Sequence, residues 1–138
     1  MTDPGVTCEI DSEQRIAILT WTQEPKDFLG WKQHFEKVLV DPRFRPDFGI
    51  ISDWRGLREA PTNSFVEEFL EALQQARARK QFSGRWATVV STAHPAVFGV
   101  GRMTEMRAEL KGLEYRIYRD LQRAVLWASR AADDKSRA

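Results

Sequence analysis

Phe48-Gly49-Ile50-Ile51-Ser52-Asp53-Trp54-Arg55 is the stretch on which the fold turns. Its first four residues are apolar or small without interruption, and turn-forming residues bound them: Arg45-Pro46-Asp47 before, Ser52-Asp53 after. A strand with one wet face alternates apolar and polar residues, whereas a continuous short run marks a strand covered on both faces. The run therefore predicts the central strand of a largely parallel sheet with helices packed on it.

Working outward, the residues before it read as a helix. Phe28, Trp31, Phe35, Val38 and Leu39 recur at three- and four-residue intervals from Asp27 onward, which places them on one apolar stripe. Asp41-Pro42 stops that helix, because proline lacks the amide hydrogen and disfavours helical geometry in the residue before it. Further upstream, Thr7 to Asp11 and Arg15 to Thr20 flank Ser12-Glu13-Gln14 and read as an opening hairpin. Downstream, Gly56 to Asn63 is loop, and Ser64-Phe65-Val66-Glu67 has capping-box spacing, so a second helix is expected from Ser64 to about Gln81, with Phe65, Phe69, Leu70, Leu73 and Ala76 inward. Trp86 to Val90 is a further strand, and Pro95 suits the first turn of a third helix that Gly112 ends. Tyr115 to Arg119 alternates in character as a strand with one wet face, and Asp120 caps a last helix, Leu121 to about Ser129.

The order is ββαβαβαβα, an α/β fold with a mixed, mostly parallel five-stranded sheet packed with helices and an antiparallel first strand. At 138 residues the chain fits a single domain, 1–138, with an ordered core over about residues 7 to 130 and a fraying tail, 131–138. Lys and Arg number 21 against 20 Asp and Glu, so a net charge of +1 supplies no field to attract nucleic acid. Apolar runs fall far short of the roughly 20 residues of a membrane span. MTDPG has no export signal, and the single cysteine, Cys8, forms no internal disulfide, so a cytoplasmic protein is expected. With two histidines and one cysteine, metal-site spacings are missing, and neither a metal nor a cofactor is expected. Arg77, Arg79, Lys80 and Arg85 read as cations at the carboxyl end of the second helix.

In open parallel sheets, ligands bind beyond the carboxyl ends of the strands. That rule makes Asp53, Trp54, Arg55, Thr92, His94 and Arg119 candidates for binding a ligand or a partner on one rim, with Arg102 nearby on the third helix. Asp53 is a general base or, more simply, a tie for its loop; His94 is a loop histidine with no relay beside it; Trp54 is a pocket cover or a packing residue. His34, between Trp31 and Phe35, is a partly buried packing residue. Gly99-Val100-Gly101-Arg102 lacks the third glycine of a phosphate loop and lies inside a helix. No nucleophile stands with its base, so no enzyme is expected.

Asp53-Trp54-Arg55-Gly56-Leu57 after the central strand, Phe98-Gly99-Val100-Gly101-Arg102-Met103 leading to Tyr118-Arg119-Asp120, and Leu39-Val40-Asp41-Pro42-Arg43-Phe44 at the end of the first helix together resemble the STAS domains of anti-sigma factor antagonists and their SpoIIAA-like relatives. The resemblance covers residues 7 to about 128. It implies a regulatory, protein-binding module, and in its phosphoswitch branch a serine at the start of the second helix within Asp-Ser-Ser-Gly. Here Pro61-Thr62-Asn63-Ser64 occupies those positions, leaving Thr62 and Ser64 as the phosphoacceptor candidates. The alternative is a carrier for a small apolar or anionic ligand, with a pocket at the carboxyl-end rim near Trp54, Phe65 and Phe98. An unidentified protein or small molecule is the expected partner, and a homodimer is left open.

Overall fold

The computed structural model describes residues 5–22 and 28–130. The expected tail, 131–138, and the approach to the first helix at Asp27 lie outside them. Among the described residues the order is β1 (Val6–Asp11), β2 (Ile16–Trp21), α1 (Phe28–Val40), β3 (Gly49–Asp53), α2 (Asn63–Ala78), β4 (Trp86–Val89), α3 (Pro95–Leu110), β5 (Tyr115–Tyr118) and α4 (Leu121–Ser129). All nine elements stand in the expected order, with bounds shifted by at most three residues.

β1 and β2 form an antiparallel hairpin in which Val6 faces Trp21 and Asp11 faces Ile16. Its turn is built locally. Asp11 Oδ1 accepts the amide hydrogens of Glu13 at 3.0 Å and Gln14 at 3.1 Å, and Arg15 takes a left-handed φ of 62° before pairing with Asp47. From β2 onward all neighbours are parallel, and the strands lie in chain order, β1-β2-β3-β4-β5. Right-handed crossovers that always step in the same direction must all fall on one side of a sheet. Accordingly α1, α2 and α3 pack on one face, while α4, which follows the last strand, lies against β3 and β4 on the other.

The two faces are built from different materials. On the three-helix face Ala17, Leu19, Trp21, Ile50, Trp86 and Tyr115 meet an aromatic cluster from the helices. Trp86, 1% exposed, stands at its centre, with ring centroids 5.1 Å from Phe69, 5.6 Å from Phe35 and 6.0 Å from Trp31 and from Phe82. These spacings and the mostly edge-on angles suit the ring quadrupoles. Two polar tips buried there are matched: Trp86 Nε1 donates to Ser52 Oγ at 2.9 Å, and the Tyr115 hydroxyl donates to Thr88 Oγ1 at 2.7 Å, whereas the buried Trp21 Nε1 has no partner among the described residues. Burial pushes the Tyr115 phenol well above its ordinary value, against a smaller lowering by the Thr88 hydrogen bond.

On the other face Ile16, Ile51, Ala87 and Val89 meet Ala124 and Ala128. Small residues bring α4 almost onto the strands. A Cβ at Gly49 would stand 2.5 Å from the Ala128 carbonyl oxygen, so only glycine fits there. At the end of α3, Gly112, with φ +73°, forms a Schellman turn: its amide hydrogen goes to Glu109 O at 3.1 Å and that of Leu113 to Ala108 O at 3.0 Å. α2 ends the same way with Lys80 at φ 60°, a left-handed residue that is not glycine.

Candidate functional site: the carboxyl-end rim and the β5 cleft

β3 carries Asp53 and Arg55 to the rim, and there the two residues satisfy each other. The Asp53 carboxylate, on a residue 7% exposed, accepts from Arg55 N at 3.1 Å, Nε at 2.9 Å and Nη2 at 2.7 Å. The hydrogen bond to Asp53 raises the Arg55 pKa further, with Asp120 adding a smaller electrostatic push. Asp53 is thus the tie for its loop, the simpler of its two readings.

Trp54 does not cover a pocket; it is part of the wall. Its amide donates to Val89 O at 2.8 Å, which carries the β3–β4 ladder one residue beyond the strand, and its carbonyl accepts from Leu57 N at 2.9 Å. That tight return buries both Trp54 and Leu57 in the three-helix core.

The N-cap of α2 is Thr62, whose Oγ1 accepts from Phe65 N at 3.1 Å. This corrects the capping box expected at Ser64. Ser64 stands in the first turn, exposed, because the helix begins at Asn63. Of the two phosphoacceptor candidates, Thr62 has its oxygen engaged.

His94 occupies the N-cap position of α3 without a side-chain cap, its carbonyl accepting from Val97 at 3.1 Å and Phe98 at 3.2 Å. Thr92 is exposed in the preceding turn, where Ser91 Oγ accepts from Ala93 N at 3.1 Å. The Arg119 guanidinium lies over the Phe98 ring, 5.4 Å from its centroid. Arg102 lies two turns into α3 and pairs with Glu105 at 3.3 Å. His34 is half-buried on α1. The structure therefore places Asp53, Trp54, Arg55, Thr92, His94 and Arg119 around one end of the sheet. It does not join Asp53, His94 and Arg119, which make no hydrogen bond or ion pair with one another.

The topology gives this rim no switch point. A binding crevice opens where successive crossovers leave toward opposite faces and their loops part. In this sheet the strand order never reverses, so neighbouring loops stay together.

Surface clefts open elsewhere. One, of about 400 Å³, lies at the amino ends of β4 and β5, lined by Arg85, Glu105, Glu109, Glu114, Arg116 and Trp127. Arg85, 9% exposed, donates from Nη1 to Trp127 O at 3.0 Å, stands 3.6 Å from Glu114 Oε1, and holds its Cζ 4.8 Å from the Trp127 ring centroid. The Arg116 Cζ lies 5.0 Å from the same centroid. Two cations share one indole, with three carboxylates around them. A wider trough of about 620 Å³ runs along the β1–β2 hairpin past Cys8, Asp11 and Arg43. Beside it, hydrogen bonds from Arg43 hold the Asp41 carboxyl down at about 2.

Two of the four cations grouped at the end of α2 reach other helices. Arg85 serves the last carbonyls of α4, and Arg77 Nη1 donates to Gly112 O, 2.7 Å, just past α3. The attraction to helix carboxyl ends is as expected, but the helices served are neighbours.

Among the described residues, no group of three His, Cys, Asp or Glu side chains could hold a metal ion, and no helix is long and apolar enough to cross a membrane. Compared with known proteins, the chain matches no family model, no curated protein and no solved structure. Its function is therefore argued from its own geometry.

Proposed function

We propose that this chain is a non-enzymatic, cytoplasmic protein-binding module of the regulatory type that STAS domains represent, and that the carboxyl-end rim with the start of α2 is its contact surface. The observation that carries the reading is a rim filled from below and polar on top. Trp54 and Leu57 close it underneath, at 6% and 1% exposure, while Arg55, Arg58, Glu59, Thr62, Asn63 and Ser64 are exposed above. A small-molecule carrier needs an enclosed volume that covers most of its ligand. Around Phe65 that space is taken by the rings of Trp31 and Phe69, with Trp31 and Phe65 6.1 Å apart. A polar, exposed patch over a packed core suits a transient protein contact, in which rigid partners meet without rearrangement. Within it Ser64 is the hydroxyl that a partner kinase would meet, since Thr62 is engaged in capping.

Native mass spectrometry of protein purified without denaturation should give the mass of the polypeptide alone. A retained small molecule would overturn the reading in favour of a carrier. A photoreactive amino acid in place of Asn63 should form a protein adduct in cells, where the same group at Glu13 on the hairpin turn does not. Equal labelling at both positions, or none at Asn63, would remove the rim as the contact surface.

A further inference from the structure

The helix α3 is apolar on two opposite sides. Val97, Gly101, Thr104 and Ala108 are buried against the sheet. On the far side Gly99, Met103, Met106 and Leu110 follow one another at intervals of four, three and four residues, the spacing of a seam between two helices, with Met103 half-buried at its edge against the core. Met106 is 67% exposed and Leu110 88%, so a pair of large apolar side chains one turn apart faces water.

Gly99 supplies a second, steric observation. A Cβ built on it meets nothing within 4 Å, so the monomer gives no reason for a helix-weakening glycine inside α3. The charges supply a third. Arg102 and Glu109 lie on one flank of the seam, seven residues apart, and both are exposed. On the other flank Arg107 is directed inward, 3.7 Å from Glu67 of α2.

We infer that this seam docks a second copy of the chain, α3 against α3 in antiparallel alignment about a twofold axis. In that alignment Met103 packs on Met106 of the second copy, and Leu110 settles over the second copy's Gly99, where the missing Cβ makes room. Flank residues of the same kind meet in antiparallel pairs, so Arg102 comes beside the second copy's Glu109, and symmetry repeats the contact. Arg102 leaves Glu105 to do so, a small cost for an exposed pair at 3.3 Å. One helix face per subunit is less than a standard interface, so the dimer is transient, with a dissociation constant on the order of 10 to 100 µM. The seam is separate from the rim, and its failure leaves the rim proposal standing.

Sedimentation equilibrium over a concentration series tests it. The wild-type chain should pass from monomer to dimer. Leu110→Glu should weaken the dimer by at least about tenfold, because two buried leucines are lost per dimer. Its side chain is exposed, and circular dichroism should show an unchanged fold. Arg102→Glu and Glu109→Arg should each weaken association, and the double variant should restore it. Gly99→Ala should raise the thermal midpoint of dilute protein while weakening the dimer, a split that a purely structural glycine would not give. A chain that stays monomeric to about 1 mM, far above the expected constant, would overturn the inference. So would a dimer indifferent to Leu110→Glu, or a double charge swap that fails to recover association.

Discussion

The two faces of the sheet solve the same burial problem in opposite ways. Under α1, α2 and α3 the space is filled by bulk: six rings, from Trp31, Phe35, Phe65, Phe69, Phe82 and Trp86, meet at centroid distances of 5.1 to 6.4 Å. Under α4 it is removed by close approach, with Gly49, Ala87, Ala124 and Ala128 bringing backbone nearly to backbone. The bulky face depends on the volume of its side chains, and the close face depends on having almost none. Large-to-small changes should therefore hurt one face and small-to-large changes the other.

The largest effect is expected from Trp86→Ala, which removes the ring that touches four others and leaves Ser52 Oγ without its donor. Urea unfolding should show a loss of about 3 to 5 kcal/mol, the range for deleting a buried large aromatic side chain. Next comes Gly49→Ala, where one added methyl must displace the end of α4. About 1 to 3 kcal/mol should be lost, with faster amide exchange concentrated in α4 and little change in α2. A loss spread evenly over both faces would break the contrast drawn here.

Tyr115→Phe probes a polar group inside the bulky face and should cost about 1 kcal/mol through the lost hydrogen bond to Thr88. The same tyrosine gives a pH dependence of known sign. Its folded pKa lies above the unfolded value of about 10, so its contribution is complete below pH 10 and is lost as pH rises above that. Wild-type stability should consequently fall more steeply above pH 10 than that of Tyr115→Phe, as read by denaturant titration. The smallest expected effect is a gain: Lys80→Gly relieves a left-handed residue at the end of α2 and should stabilise by about 0.5 to 1 kcal/mol in thermal melts.

The order of elements was legible because each carries its own period. The unbroken run at Ile50-Ile51 and the spacing of Trp31, Phe35 and Val38 are local, and local patterns survive folding. The neighbour of each strand was less so, since nothing in β4 states that it pairs with both β3 and β5 in chain order. The rim was read in part. Asp53 proved to be the tie that a post-strand aspartate commonly is, but Trp54 turns inward because Leu57 bonds back to its carbonyl, a contact no spacing announces. Thr62 rather than Ser64 caps α2 because the chain enters the helix two residues earlier than the capping-box pattern suggests. The cleft of Arg85, Arg116 and Trp127 joins residues from three distant elements, so only the assembled sheet reveals it.

One contact at the edge of the sheet reaches beyond this molecule's own folding. Glu105 Oε2 accepts the amide hydrogen of Ile117 at 3.0 Å, on the side of β5 where a sixth strand would have to pair. A side chain of α3 thus plugs the middle of that edge, and among the described residues no side chain does the same along the outer side of β1. Any engineered strand, split-fragment complement or fibril seed that extends this sheet will find β1 the permissive end, and a designer wishing to polymerise the domain would begin by replacing Glu105.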